Sequence, residues 1–403
     1  MIISAIIFPR WLENSNEIRI RNIMAQRQEV IRLIQELIRI DSQNPPGSER
    51  KISLFIKDYL KKIKVKASLY EYKKNRTNVV CRIESIKSRK TLLVTPHTDT
   101  VPATGKWLYP PLSGKINKGR IYGRGATDCK GNVAVALSVI KKIRQGNIRF
   151  NNLDLIFAFT ADEESGSEFG IKPLLKDLKG IDYGVVLDSD EFEIIVAQKG
   201  LFHLRVELFG KEAHGAFPQR GINAIEKGVF ALSEILKTKL SPKTHPLLER
   251  PTINIGKFEG GDKVNIVAGY AYFDIDIRLI PSMKRKDIIR KIERVVRKHI
   301  DKYKITVLAA QDPIEIDRDN LLIKTLQHTL RKNNIRPKLK ACFGATVINF
   351  LTDRGIGAFA FGFGSRGTAH TKNEYVKANN LSKGCNVLLD YLISLDKHFD
   401  HFE

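Results

Sequence analysis

Residues 26–40, QRQEVIRLIQELIRI, place Val30, Leu33, Ile34, Leu37 and Ile38 at the spacing of one helical face. The following SQNPPGSE ends that helix, because proline and glycine interrupt the helical ladder. The pattern then changes. Apolar runs at 91–95, 153–160 (LDLIFAFT), 183–187 (YGVVL) and 358–363 (AFAFGF) are continuous rather than alternating, as in strands buried on both faces. Amphipathic segments such as 131–144 separate them. The pattern predicts an α/β domain with a mixed sheet covered by helices.

The middle of the chain reads differently. A strand at 202–209, a helix at 222–239, strands at 252–258 and 270–279, a helix at 284–300 and a strand at 304–309 give the ferredoxin-like order β-α-β-β-α-β. Because 358–363 resumes the earlier pattern, this smaller domain reads as an insertion. The expected division is 24–199 with 310–403 for the larger domain and 200–309 for the insert. Residues 1–23, ahead of Met24, read as an extension or a misassigned start. The opening MIISAIIFPRW has no basic residue before its apolar run and no small-residue cleavage site, so no secretory signal is expected.

Composition narrows the class. With 403 residues, 42% hydrophobic and 28% charged, the chain is globular rather than disordered. No apolar run approaches the ~18–20 residues of a membrane-spanning helix. Four cysteines, Cys81, Cys129, Cys342 and Cys385, lack paired metal spacing and are too sparse for a disulfide scaffold, so a reducing cytoplasm is expected. Lys and Arg exceed Asp and Glu by 68 − 44, a net charge of +24. Spread along the chain, it fits a solvated lysine-rich surface; its field would also favour an acidic substrate or partner. No zinc finger, helix-turn-helix or aromatic RNA-binding motif supports nucleic acid as a partner.

In open α/β sheets, ligands bind beyond the carboxyl ends of the strands. Each apolar run here ends in polar residues. Run 91–95 leads to His97 and Asp99, run 153–160 to Asp162-Glu163-Glu164, run 183–187 to Asp188, and run 358–363 to His370. Asp128 lies in the glycine-rich YGRGATDCKGN just before helix 131–144. Singly, a His-x-Asp or a Glu-Glu is usually an ordinary polar loop. Together, two histidines and several carboxylates form a donor set suited to zinc, and two metals ~3.5–4 Å apart need a bridging carboxylate.

The segments HTDTVP, GRGATDCKG, TADEESG, GKEAHGAFPQRGINAI, VNIVAGYAYFDIDIR and GTAHTKNEYV, in this order, resemble the di-zinc amidohydrolase and metallopeptidase family of acetylornithine deacetylase, succinyl-diaminopimelate desuccinylase, aminoacylase and glutamate carboxypeptidase. The resemblance covers residues 27 to the C-terminus. It implies a zinc-peptidase-like catalytic domain and two Zn2+ per chain, with Co2+ or Mn2+ as substitutes. His97 and Asp188 would hold one metal, Glu164 and His370 the other, and Asp128 would bridge them. Asp99 would orient His97, and Glu163 would be the general base. The Asp128–Cys129 peptide would be cis. In the insert, His214 would reach a partner subunit's site and stabilise the oxyanion, while Asn265 and Arg278 match positions near the substrate carboxylate or oxyanion.

The expected activity is hydrolysis of an N-acyl amino acid by a cytoplasmic homodimer, as in amino-acid biosynthesis. Alternatives within the class are a dipeptidase, a glutamate-carboxypeptidase-like enzyme, or release of an amino acid from an acidic carrier protein. A catalytically inactive binding module is the rival from another class. One departure stands out: where many relatives carry Gly-Thr-Asp or Gly-Thr-Ser-Asp, this chain has FGATVINF at 343–350, with Val347 in the place of the aspartate.

Overall fold

The structure, a computed structural model, describes residues 15–240, 244–344 and 346–401. Of the expected extension, residues 1–14 lie outside the described residues, and 15–23 belong to a helix, Ser15–Arg39, that begins well before residue 26. The chain forms two compact units. One comprises the chain up to Ile194, Asp319–Lys338 and everything from Arg354; the other comprises Ile195–Arg318 and Leu339–Asp353.

In the first unit, strands Ala67–Lys73, Arg76–Ile83, Leu153–Phe159, Lys90–Thr95, Tyr183–Leu187 and Gly357–Phe361 lie side by side in that order. The first two run antiparallel to their neighbours, and the last four are parallel. The sheet is therefore mixed. Every residue of Leu153–Phe159 is buried, which is why its sequence shows no alternation. Helix Lys130–Gln145 packs against Ser15–Arg39 and Ala378–His398. Twelve of its sixteen residues are buried, so it is enclosed along most of its length. A small sheet of Lys115–Asn117, Arg120–Tyr122 and Tyr375–Lys377 was not visible in the apolar pattern; its strands are too short to show a period.

The second unit has a four-stranded antiparallel sheet in the order Thr252–Gly260, Tyr270–Leu279, Gly200–Phe209, Tyr303–Gln311. With helices Ala224–Lys237 and Arg285–Val296 this is the ferredoxin-like arrangement. Gly200–Phe209 and Tyr270–Leu279 alternate buried and partly exposed positions along their length. Phe202, Leu204, Val206, Phe273, Ile275 and Ile277 pack with Ala231, Ile235, Ile288 and Ile292 in one core. The first helix starts at Ala224 rather than 222 because the Asn223 side chain accepts the N–H groups of Ile225 and Glu226 as its cap. The second ends at Val296, four residues earlier than its periodicity predicts. Among the described residues, no helix is long and apolar enough to cross a membrane.

Candidate active site

The four parallel strands are in register, with Val94 opposite Phe157 and Thr95 opposite Val186, so their carboxyl ends open onto one cleft. The loops leaving these ends bring together His97, Asp99, Glu163, Glu164, Asp188 and His370. Asp128 joins them from the turn before helix Lys130–Gln145. That turn needs glycine: Gly125 has φ +81°, and a Cβ there would stand 2.6 Å from Thr100 Cγ2. The Asp128–Cys129 peptide is cis, as the resemblance implies.

Asp128 lies between the two imidazoles. Its Oδ1 is 2.8 Å from His97 Nε2, and its Oδ2 is 3.0 Å from His370 Nε2. His370 Nε2 also lies 3.1 Å from Glu164 Oε1. On its other side, His97 Nδ1 is 3.1 Å from the main-chain oxygen of Asp99 and 3.4 Å from its Oδ1. Those acceptors place the proton on Nδ1 and turn Nε2 into the cleft. Ligand atoms of His97, Asp128 and Glu164 fall within 4.8 Å of one another, as do those of His97, Cys129 and Asp188. Asp162 and His370 sit in the left-handed region at φ +64° and +59°, uncommon for residues other than glycine and a feature that clusters at functional sites.

The electrostatics are those of crowded carboxylates with few cations. Desolvation raises Asp188 to about 7, assisted by Asp128 and Glu164. Desolvation and the neighbouring Asp128 push Asp190 up to about 6. Glu163 is raised well above the carboxylate range, first by desolvation, then by Asp188, Asp128 and Glu164 acting against His97. For Asp128 desolvation works in the same sense, but His370 and His97 overcome it and hold the carboxyl below its ordinary value. Hydrogen bonds to Asp128 and Glu164 lift His370 to about 10. Imidazoles and carboxylates converging under this excess of negative charge fit a divalent cation.

Four supporting residues escaped sequence reasoning. Glu374 is fully buried, accepting Thr127 N–H at 2.8 Å and Asp128 N–H at 3.1 Å on Oε1, and Gly125 N–H at 3.0 Å and Arg124 Nη1 at 2.7 Å on Oε2. Burial pushes this carboxyl upward, yet four donors face its two oxygens, so the ionised form is the one the arrangement satisfies. Asn44 Nδ2 donates to Asp99 Oδ2 at 2.9 Å. Arg76 and Glu49 pair beneath the Glu163–Ser165 turn. The acid four residues after His370 was the available signal for Glu374; Arg76 and Asn44 carried none.

His214, Asn265 and Arg278 belong to the second unit. His214 Nδ1 accepts Ala216 N–H at 3.1 Å, which leaves Nε2–H as its donor. Asn265 O accepts Gly215 N–H at 2.8 Å, making the two loops neighbours. Arg278 binds Asp276 Oδ2 through Nη2 at 3.0 Å. Val347 is buried ahead of the short helix Ile348–Thr352. Thr346 Oγ1 donates to Gln198 Oε1 at 2.7 Å, and Gln198 Nε2 donates to Asn349 Oδ1.

This fold and cleft belong to a hydrolase class recognised independently. Residues 93–394 match the model of Peptidase family M20/M25/M40, and the chain belongs to that family. It is 30% identical over 419 residues to an uncharacterized metallohydrolase of Methanocaldococcus jannaschii, covering 91% of this chain and 99% of that protein. It is 29% identical over 324 residues to a succinyl-diaminopimelate desuccinylase of Buchnera aphidicola, covering 76% and 84%. A tripeptidase from Staphylococcus aureus shares the fold, with a TM-score of 0.74 at 24% identity over 92% of this chain and 99% of that one.

Proposed function

We propose that this hydrolase cleaves the amide bond of an N-acyl amino acid, with two divalent metal ions bound in the cleft. The observation that carries the reading is Asp128, whose two oxygens face different imidazoles. A carboxylate so placed can serve two cations at once. His97 and Asp188 would hold the first ion and Glu164 and His370 the second. Zinc or cobalt bound there would polarise the scissile carbonyl and acidify the attacking water.

Glu163 takes the proton of that water and returns it to the leaving nitrogen. Burial and the neighbouring carboxylates raise its pKa, which strengthens it as a proton acceptor. Asp99 holds the His97 ring in orientation. His214, with Nε2–H free to donate, stabilises the oxyanion in the site of a partner subunit. Asn265 and Arg278 hold the substrate carboxylate. The exposed Val229, Phe230 and Leu236 on helix Ala224–Lys237 support a homodimer formed through the second unit. An N-acyl substrate is preferred because the desuccinylase relative aligns over most of its length.

The test is a hydrolysis screen of the purified protein with added zinc or cobalt over N-acetyl- and N-succinyl-amino acids and dipeptides, read as released amine. Turnover of N-acyl amino acids is expected. Cleavage of dipeptides alone would overturn the acyl preference, and inactivity across the panel would leave a binding module.

A further inference from the structure

Beneath the Glu163–Ser165 turn lies a buried polar cluster to which the roles above assign nothing. Arg76, the first residue of strand Arg76–Ile83, donates from Nε to Glu49 Oε2 at 2.7 Å and from Nη2 to Glu49 Oε1 at 2.8 Å. The same Nη2 donates to Asp162 Oδ1 at 2.7 Å. The side chains of Arg76, Glu49 and Asp162 are 7%, 0% and 3% exposed. Gly47, at φ +78°, opens the slot: a Cβ there would stand 2.3 Å from Arg76 Cζ.

The cluster grips the backbone that carries the reactive carboxylates. Three consecutive peptide N–H groups of that turn are held from below: Asp162 by Glu49 Oε1 at 3.2 Å within the cluster, and Glu163 and Glu164 by the adjoining Asp99, through Oδ1 and Oδ2 at 3.1 Å each. Asn44 ties the two halves, donating to Asp99 and, at 3.3 Å, to Asp162 Oδ1. Asp162 itself, at φ +64°, accepts Phe169 N–H on Oδ2 at 2.9 Å. A left-handed aspartate persists only where its surroundings over-determine it. Here the fork of Arg76 spans Glu49 and Asp162 together, which a lysine ammonium cannot reproduce as a bidentate contact.

We propose that Arg76 is a positioning residue for hydrolysis: by clamping Asp162 and Glu49 it fixes the turn that aims Glu163 and Glu164 at the reacting atoms. This rests on the reading of Glu163 as the base. Arg76 acts through Asp162: its guanidinium hydrogen-bonds Glu49 and Asp162 and none of the proposed metal ligands or the base. A buried ion pair is a weak source of net stability compared with apolar packing, so such a pair directly under the reactive turn is better explained by geometry than by folding energy.

The experiment compares R76M, R76K, the double variant R76M/E49Q, and E163Q in the full-length protein. Readouts are thermal stability, kcat and KM on the fastest substrate of the panel above, and zinc affinity by chelator competition. R76M should lose stability, because two buried carboxylates lose their cation. R76M/E49Q removes one charge of each sign and leaves Asp162 with only Asn44 and the Phe169 N–H as donors, so stability should return in part, by about half of the R76M loss or more. Its kcat should stay about 100-fold low with KM changed less than about threefold, the size of effect expected from a roughly 1 Å misplacement. Its zinc affinity should fall about tenfold, a readout independent of turnover. Recovery of kcat and zinc affinity together with stability would overturn the proposal and make Arg76 a purely structural residue. If the double variant fails to regain stability, R76K decides: kcat and zinc affinity within about twofold of wild type would overturn the proposal, and a loss of about tenfold or more would support it. An active E163Q would sink the assignment of the base, whereas a recovered double variant with inactive E163Q would sink Arg76 alone.

Discussion

Replacing Glu374 with glutamine changes one atom, and its effect can be worked from the contacts. The carboxylate accepts three backbone N–H groups of the turn that carries Asp128 and also pairs with Arg124 at 2.7 Å, with side-chain exposures of 3% and 0%. Glutamine keeps one acceptor oxygen and turns an NH2 group toward donors. Arg124 becomes a buried cation without its anion, although Nη2 still reaches Pro102 O at 3.3 Å. Removing one partner of a buried pair costs about 3–5 kcal/mol, and this figure already includes the stranded donors. At roughly 2–4 °C per kcal/mol for a unit of this size, Tm should fall by roughly 6–20 °C. Calorimetry on metal-stripped protein avoids the stabilisation that bound metal adds. The same change frees the Asp128 backbone, so zinc affinity should drop about 10–100-fold. A fall below about 3 °C with unchanged zinc affinity would refute the reasoning and show Glu374 to be a spectator.

Other expectations follow from the same cleft. Glu163→Gln should retain zinc and lose about a thousandfold in kcat, since an amide cannot accept the water's proton; metal analysis beside kinetics checks it, and a loss under tenfold excludes Glu163 as base. Zinc uptake should strengthen from pH 6 to 8 and release between about 1.5 and 2.5 protons at pH 7: His370 at about 10 gives up one, Asp188 at about 7 gives up half of one, and His97, raised above its ordinary value, adds up to one more. Calorimetry in buffers of different ionisation heat reads that number, and a value near zero would contradict the assigned ligands. Mixing inactive His214→Ala with inactive Glu163→Gln should restore activity in proven heterodimers, because one mixed site keeps both groups; no recovery would remove His214 from the partner's site. Val347→Asp should shift kcat/KM from neutral and acidic N-acyl amino acids toward N-acetylornithine, and an unchanged ratio would detach that loop from specificity.

What was legible follows from burial. Runs 153–160 and 183–187 were readable because a strand covered on both faces has no polar positions to confuse its period. Ala67–Lys73 and Arg76–Ile83 were not assigned as strands. The first has a mixed apolar and charged pattern, and the second begins with Arg-Thr-Asn, residues that read as loop although all three are buried. The ligand candidates stood out because all but Asp128, which sits in a glycine-rich turn before a helix, follow a strand end, and each has the chemistry of a metal donor. Glu374 and Arg76 did not, because their partners are backbone N–H groups and buried carboxylates brought near only by folding. Asn44 was read only as part of a helix break; its link from Asp99 to Asp162 exists only in three dimensions.

The first unit is built from three separate stretches of chain, and that has a consequence in time. Glu164 and His370, which meet across the cleft, are 206 residues apart in sequence. At a ribosomal rate of roughly 5–20 residues per second, about 10–40 seconds separate the appearance of one from the other. During that interval the nascent chain presents His97, Asp128, Glu163 and Glu164 without the second imidazole, while the inserted unit is still being made. On the proposed two-metal reading, a metal ion captured then would meet an incomplete set of donors, so full loading would follow chain release, when the last stretch has closed onto the sheet.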